Sequence, residues 1–184
     1  MLMPAFTRHL EANLIVGKLL TGYTDLELDL CHAVAMANND FEGVVRTIFK
    51  DRGESRRIET AKKLGRDSYK GVGLETEFRF GIIAMRYCLK IRNQYAHSQW
   101  VDRPDFGLGF VNIESLAKQP TRIDYANLTF QWIDVPLLKE QQSYFEHTQK
   151  GIAYLNYEAR FRAGTIASPL FPAPQPQPKP RLHK

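Results

Sequence analysis

The sequence predicts a mainly α protein: a helical bundle carrying a small β-hairpin insertion and ending in a disordered tail. Three observations lead there. Most of residues 1–167 repeats apolar side chains at helical spacing, punctuated by capping residues and glycines. One stretch, about 104–134, changes to β-branched and aromatic residues with partial alternation. The last 17 residues, Ser168 to Lys184, hold six of the ten prolines, and proline fixes φ and lacks an amide donor.

The elements follow in order. Residues 4–20 make a first amphipathic helix. Thr24 with Glu27 forms a capping-box pattern that opens a second, 25–37, with Leu26, Leu30, Val34 and Ala37 on one face. His32 lies between apolar residues there and reads as a core histidine. Asn39 with Glu42 repeats the signal for a helix over 40–50, which Gly53 ends. A basic segment, 55–70, gives a fourth. Gly71 and Gly73 then precede a long helix from Leu74 to about Gln99. Phe106–Ile113 and Arg122–Ile133, rich in β-branched and aromatic residues with partial alternation such as Ile123, Tyr125 and, later, Phe130, read as the two strands of the hairpin. Asp134 ahead of Pro136 starts a last helix, to about Arg162. The domain reading is therefore 1–167 for the helical domain and 168–184 for the tail.

Charge narrows the function classes less than its total suggests. The chain of 184 residues has 25 Lys and Arg against 20 Asp and Glu, a net +5. Lys179, Arg181 and Lys184 put +3 of this in the tail, leaving the body at +2. Within the body, residues 50–70 hold eight basic side chains, including Arg56, Arg57, Lys62 and Lys63, against four acids. Such a segment can track a nucleic-acid backbone or be a solvated helix face. The N-terminal stretch carries Arg8, Glu11 and Lys18, which excludes a signal peptide or a membrane span there. Cys31 and Cys88 have no metal-ligand spacing and read as buried thiols in a reducing compartment, so the expected location is the cytoplasm, with no membrane partner. No cofactor and no metal is expected: there is no Cys/His cluster, and Gly71-Val72-Gly73 is no phosphate loop.

The informative helix is 74–99. At 100° per residue, Phe78, Ile82, Met85, Leu89 and Ala96 form one apolar arc, while Arg79, Arg86, Lys90, Asn93 and His97 form a basic and polar stripe. Arg92 falls inside the apolar arc, between Met85 and Cys88. A guanidinium there needs a carboxylate, carbonyls, a ligand or a second subunit. Burial in a structural ion pair and a place in an active site are both open from spacing alone.

The segment Arg92-Asn93-Gln94-Tyr95-Ala96-His97 at the end of a bundle helix resembles the R-x4–6-H motif of HEPN domains. The polar residue directly after the arginine, Asn93, belongs to that pattern. Some relatives carry a tyrosine two residues after the histidine; this chain has Gln99 there, next to Trp100. The resemblance covers about residues 5–100 and 136–162. It implies an all-α, often dimeric domain acting as a metal-independent endoribonuclease, with Arg92, Asn93 and His97 catalytic and RNA as substrate. It further implies a homodimer with a composite site, and a toxin or defence effector restrained by an antitoxin or regulatory partner. In one straight helix Arg92 and His97 would point about 140° apart, so either the helix ends near Tyr95 or two subunits build the site. RNA contacts are expected at Arg79, Arg86, Lys90, Arg56, Arg57, Lys62 and Lys63. Trp100 is the expected base-stacking ring, with Tyr69 a further candidate and Tyr95 placed in the core. The alternatives are a catalytically inactive nucleic-acid or nucleotide-binding module, and a scaffold whose proline-rich tail is the working part.

Overall fold

The computed structural model describes residues 6–120, 123–124 and 128–183. The parts of the first helix and of the second hairpin strand expected at residues 4–5, 122 and 125–127 lie outside them. Among the described residues five helices form the body: α1 (Leu10–Asn38), α2 (Phe41–Lys50), α3 (Glu54–Gly71), α4 (Glu75–Tyr95) and, after the insertion, the long closing helix Val135–Arg162, here α6. Between them lie β1 (Ser98–Arg103), β2 (Gly107–Asn112), the short α5 (Ile113–Ala117) and β3 (Gln131–Trp132). The protein is mainly helical with a small antiparallel sheet, as expected, and no helix among the described residues is long and apolar enough to cross a membrane.

The two expected N-terminal helices are one. The Thr24–Glu27 pattern does not cap, because Glu27 turns inward and accepts from Arg57 Nη1 at 2.8 Å. Its neighbours Leu19, Leu26, Leu30 and Val34 continue a single buried stripe. α1 stops at Asn39, which takes φ 52°, a left-handed value that asparagine tolerates. Asp40 rather than Asn39 caps α2, accepting from the Gly43 amide at 2.9 Å. His32 is exposed and meets the edge of Phe41, ring centroids 5.7 Å apart, so it is not a core residue.

α1 ties to both α3 and α6. Tyr69 donates to Ala33 O at 3.1 Å, and Asn38 and Ser68 share a hydrogen bond of 3.0 Å. Lys139–Glu11 and Gln149–Asp29 link the other flank. α4 runs antiparallel to α3 and α6, as its paired positions show: Gly65 with Phe78 and Glu54 with Arg92 on one side, Gly81 with Leu155 and Cys88 with Thr148 on the other. Gly65 is required for this approach, since a Cβ there would stand 2.5 Å from Phe78 Cζ. Phe78 in turn stacks on Tyr69 at 4.3 Å. Cys31 and Cys88 are free and buried.

The hairpin starts earlier than expected. α4 ends at Tyr95, and Ser98 already pairs with Asn112, through to Arg103 with Gly107. Among the described residues of the second expected strand, Gln131–Trp132 pairs, with Phe110 and Gly109. Gly109 leaves room for Trp132, whose Cζ3 would be 2.7 Å from a Cβ. Phe110 points into the bundle and is fully buried.

The tail is extended, as its prolines demand, but it is not disordered. It doubles back along α6 and inserts His183, 7% exposed, between the ends of α4 and α6.

Candidate functional site

The candidate site gathers at the C-terminal end of α4, where the main chain leaves helical geometry. Ala96 takes an extended ψ of 144°, and His97 takes φ 57°. The left-handed region is unfavourable for a residue with a Cβ. Here it is held from both sides: the Ile113 amide donates to His97 O at 3.1 Å, and Ser98 Oγ donates to Gln94 O at 2.9 Å. Asn112 closes the corner. Its Nδ2 donates to Asn93 O at 2.7 Å and Ala96 O at 2.8 Å, satisfying carbonyls that a helix end leaves open. Its Oδ1 accepts from the Ser115 amide at 2.8 Å and caps α5. One side chain thus welds the end of α4, the hairpin and α5.

His97 projects outward from this corner with 63% of its side chain exposed, and Nε2 stands 3.8 Å from Glu114 Oε1. α4 ends at Tyr95, one of the two arrangements open to Arg92 and His97, so the imidazole is no longer directed by helical phase. Arg92 and Asn93 are brought together, Nη1 donating to Asn93 Oδ1 at 3.0 Å. Among the described contacts neither is paired with the imidazole.

Arg92 faces inward, as its place in the apolar arc anticipated. Nη1 lies 3.5 Å from Glu54 Oε1 at the start of α3, and its side chain is 24% exposed. Behind it on α1 are Tyr23 and Glu27, both within its electrostatic reach. Burial raises the carboxyl pKa of Glu27 in spite of the hydrogen bond and charge of Arg57. Burial also raises the phenol of Tyr23, with Glu27 and Glu54 adding to it and Arg92 opposing. Among the described residues Arg92 Nε, Glu27 Oε1 and Tyr23 Oη are buried without a hydrogen-bond partner. An ion pair with Glu54 therefore accounts for part of the arginine's place, and the polar layer around it is not fully satisfied.

The remaining expected contacts divide. Arg56, Lys62, Lys63, Arg79 and Lys90 are exposed on α3 and α4, with the Arg79 guanidinium above Phe80 at 5.6 Å. Arg57 is committed to Glu27 and lies over Phe49 at 5.1 Å, and Arg86 is ion-paired with Glu59. Trp100 is not presented as a stacking platform: its ring packs 4.8 Å from Phe6 and 5.2 Å from Phe110. Tyr69 and Tyr95 are core residues. Asn112, Glu114 and Glu54 join the expected residues at the site. Asn112 directly before a short helix is a cap signal; nothing local marks the two glutamates.

No family model, no curated protein and no solved structure matches the chain. The resemblance of the Arg92–His97 segment therefore stands on that segment and on the helical setting around it.

Proposed function

We propose that the chain is a metal-independent endoribonuclease of the HEPN type, cutting single-stranded RNA by attack of the ribose 2′-hydroxyl on the adjacent phosphate. The observation that carries this reading is the backbone of His97. A left-handed residue with an exposed ring gains nothing from packing, and glycine would fit the position with less strain. Backbone strain held in place by several fixed contacts is characteristic of functional positions.

In this reading neutral His97 takes the 2′-hydroxyl proton, or its imidazolium protonates the 5′-oxygen as it leaves, with Glu114 orienting the ring. Arg92 meets the charge that grows on the phosphate, exchanging Glu54 for a phosphate oxygen. Asn93 holds the guanidinium. The products are a 2′,3′-cyclic phosphate and a 5′-hydroxyl. A second copy of the chain completes the site in a homodimer, and the exposed Arg56, Lys62, Lys63, Arg79 and Lys90 carry the RNA backbone. The buried thiols suit the cytoplasm, where a toxin or defence role would need a restraining partner.

The test is incubation of the full chain with single-stranded RNA and with DNA of the same sequence, in EDTA, alongside His97→Ala and Arg92→Ala. The reading requires RNA cleavage by the wild type, none of DNA, and loss in both variants with the fold retained. The Arg92–Glu54 pair favours a second reading, a noncatalytic nucleic-acid-binding module. That reading requires RNA retention on a filter with no cleavage by any of the three proteins.

A further inference from the structure

The docked tail fits its groove in length, anchors and hydrogen bonding. From Tyr157 back to Asp134, α6 covers 23 residues, or about 34 Å at 1.5 Å each. Their tail partners, Phe171 and His183, are 12 residues apart, about 37 Å at the 3.1 Å rise of a left-handed proline helix. Between these ends the contacts follow in antiparallel order: Pro174 lies beside Gly151, Gln177 bonds Ser143 at 3.3 Å, and Gln141 bonds Arg181 O at 3.0 Å. Pro174 and Pro176 roof a cavity of about 320 Å³ whose floor includes Phe80, Ala84, Tyr154 and Leu155.

At the far end the recognition is polar and complete. The Asp134 amide can only donate, so His183 Nε2, 3.1 Å away, carries a lone pair. Its Nδ1–H then donates to Tyr95 Oη at 3.0 Å, Tyr95 O–H to Gln141 Oε1, and Gln141 Nε2 to Arg181 O. Gln94 reads the His183 main chain in both directions, donating to O at 3.0 Å and accepting from N at 3.3 Å. Tyr87 donates to Pro180 O, Lys179 sits over the Tyr87 ring, and Arg181 pairs with Asp134 at 2.7 Å. Gln141 is fully buried with the tail in place, so its amide nitrogen relies on Arg181 O in place of water.

We infer that the groove between α4 and α6 is a peptide-recognition site for a left-handed proline helix ending Pro-Arg-Leu-His, occupied at rest by the chain's own residues 172–183. The main-chain contacts supply affinity. The Arg181 and His183 side chains supply selectivity, as in other sites that read preformed proline helices. The inference is independent of the ribonuclease reading, since its test measures binding alone.

The experiment uses a fluorescently labelled synthetic peptide of residues 171–183 and the full chain, wild type and R181A/H183A. The double variant frees its groove and should bind the peptide at least about tenfold more tightly than the wild type, whose groove is filled. The same peptide with alanine in place of its histidine should lose at least about tenfold. Equal binding by the two proteins, or by the two peptides, overturns the inference. Nuclear Overhauser contacts from the His183 ring to Tyr95 and Phe110 in the wild type check the resting state without any substitution. Their absence overturns it as well.

Discussion

Replacing His97 with glycine should make the protein more stable. The left-handed conformation at φ 57° costs a residue with a Cβ about 1–2 kcal/mol. Glycine escapes this but gives up about 0.5–1 kcal/mol in backbone entropy on folding. His97→Ala keeps the Cβ, hence the strain, and removes the same imidazole. Both variants lose the Glu114 contact, which is exposed on both sides and contributes little. Both keep the main-chain bond from Ile113. The difference between them therefore isolates the backbone: His97→Gly should exceed His97→Ala by about 0.5–1 kcal/mol. That appears as a higher urea midpoint at unchanged slope and a melting temperature about 1–4 °C higher. A glycine variant no more stable than the alanine variant would refute the claim that His97 is held under strain.

Other perturbations test the surroundings of the site. Asn112→Ala removes two short bonds to the end of α4 and the cap of α5. At about 0.5–1.5 kcal/mol for each of the three bonds, urea unfolding should show a loss of about 1.5–4.5 kcal/mol. Gly65→Ala pushes a methyl into the Phe78 ring and should cost about 1–3 kcal/mol by the same measurement; an unchanged midpoint would contradict the close approach of α3 and α4. Docking of the tail should weaken in acid. Burial lowers the His183 pKa below its ordinary 6.5, with Asp134 opposing and Arg181 adding to the effect; Gln94, Tyr95 and Gln141 complete its surroundings without charge. The docked form binds fewer protons than the free tail between the two values, so docking is complete above about pH 6.5 and declines as the pH falls below it. Ring contacts between His183 and Tyr95 of constant intensity from pH 7.5 to 5 would contradict this.

The helices whose ends carry chemical punctuation were legible. Gly53 before α3 and Asp134 with Pro136 at α6 act through local geometry, and local geometry is what a sequence states directly. The same grammar misled at Thr24–Glu27, because a tertiary partner, Arg57, draws Glu27 inward and the helix runs on. The end of α4 carried no such mark: Ala96-His97-Ser98 contains no glycine, and the stop is imposed by strand pairing with Asn112. Arg92 in an apolar arc was visible as an anomaly. Its partner Glu54 lies on another helix, at a separation that periodicity does not reach. The prolines of the tail stated an extended backbone correctly. That it docks depends on Gln94, Tyr95 and Gln141 on two other helices, a complementarity that composition does not encode.

The proposed function links the left-handed backbone of His97 to proton transfer on RNA by its imidazole. The most direct measurement is the cleavage rate of a single-stranded RNA oligonucleotide, in EDTA, by wild type and His97→Gly. The glycine variant, although the more stable protein, should be slower by about 100-fold or more, the range of general acid–base catalysis. A glycine variant that cleaves at the wild-type rate, or a wild type that cleaves no RNA, would contradict it.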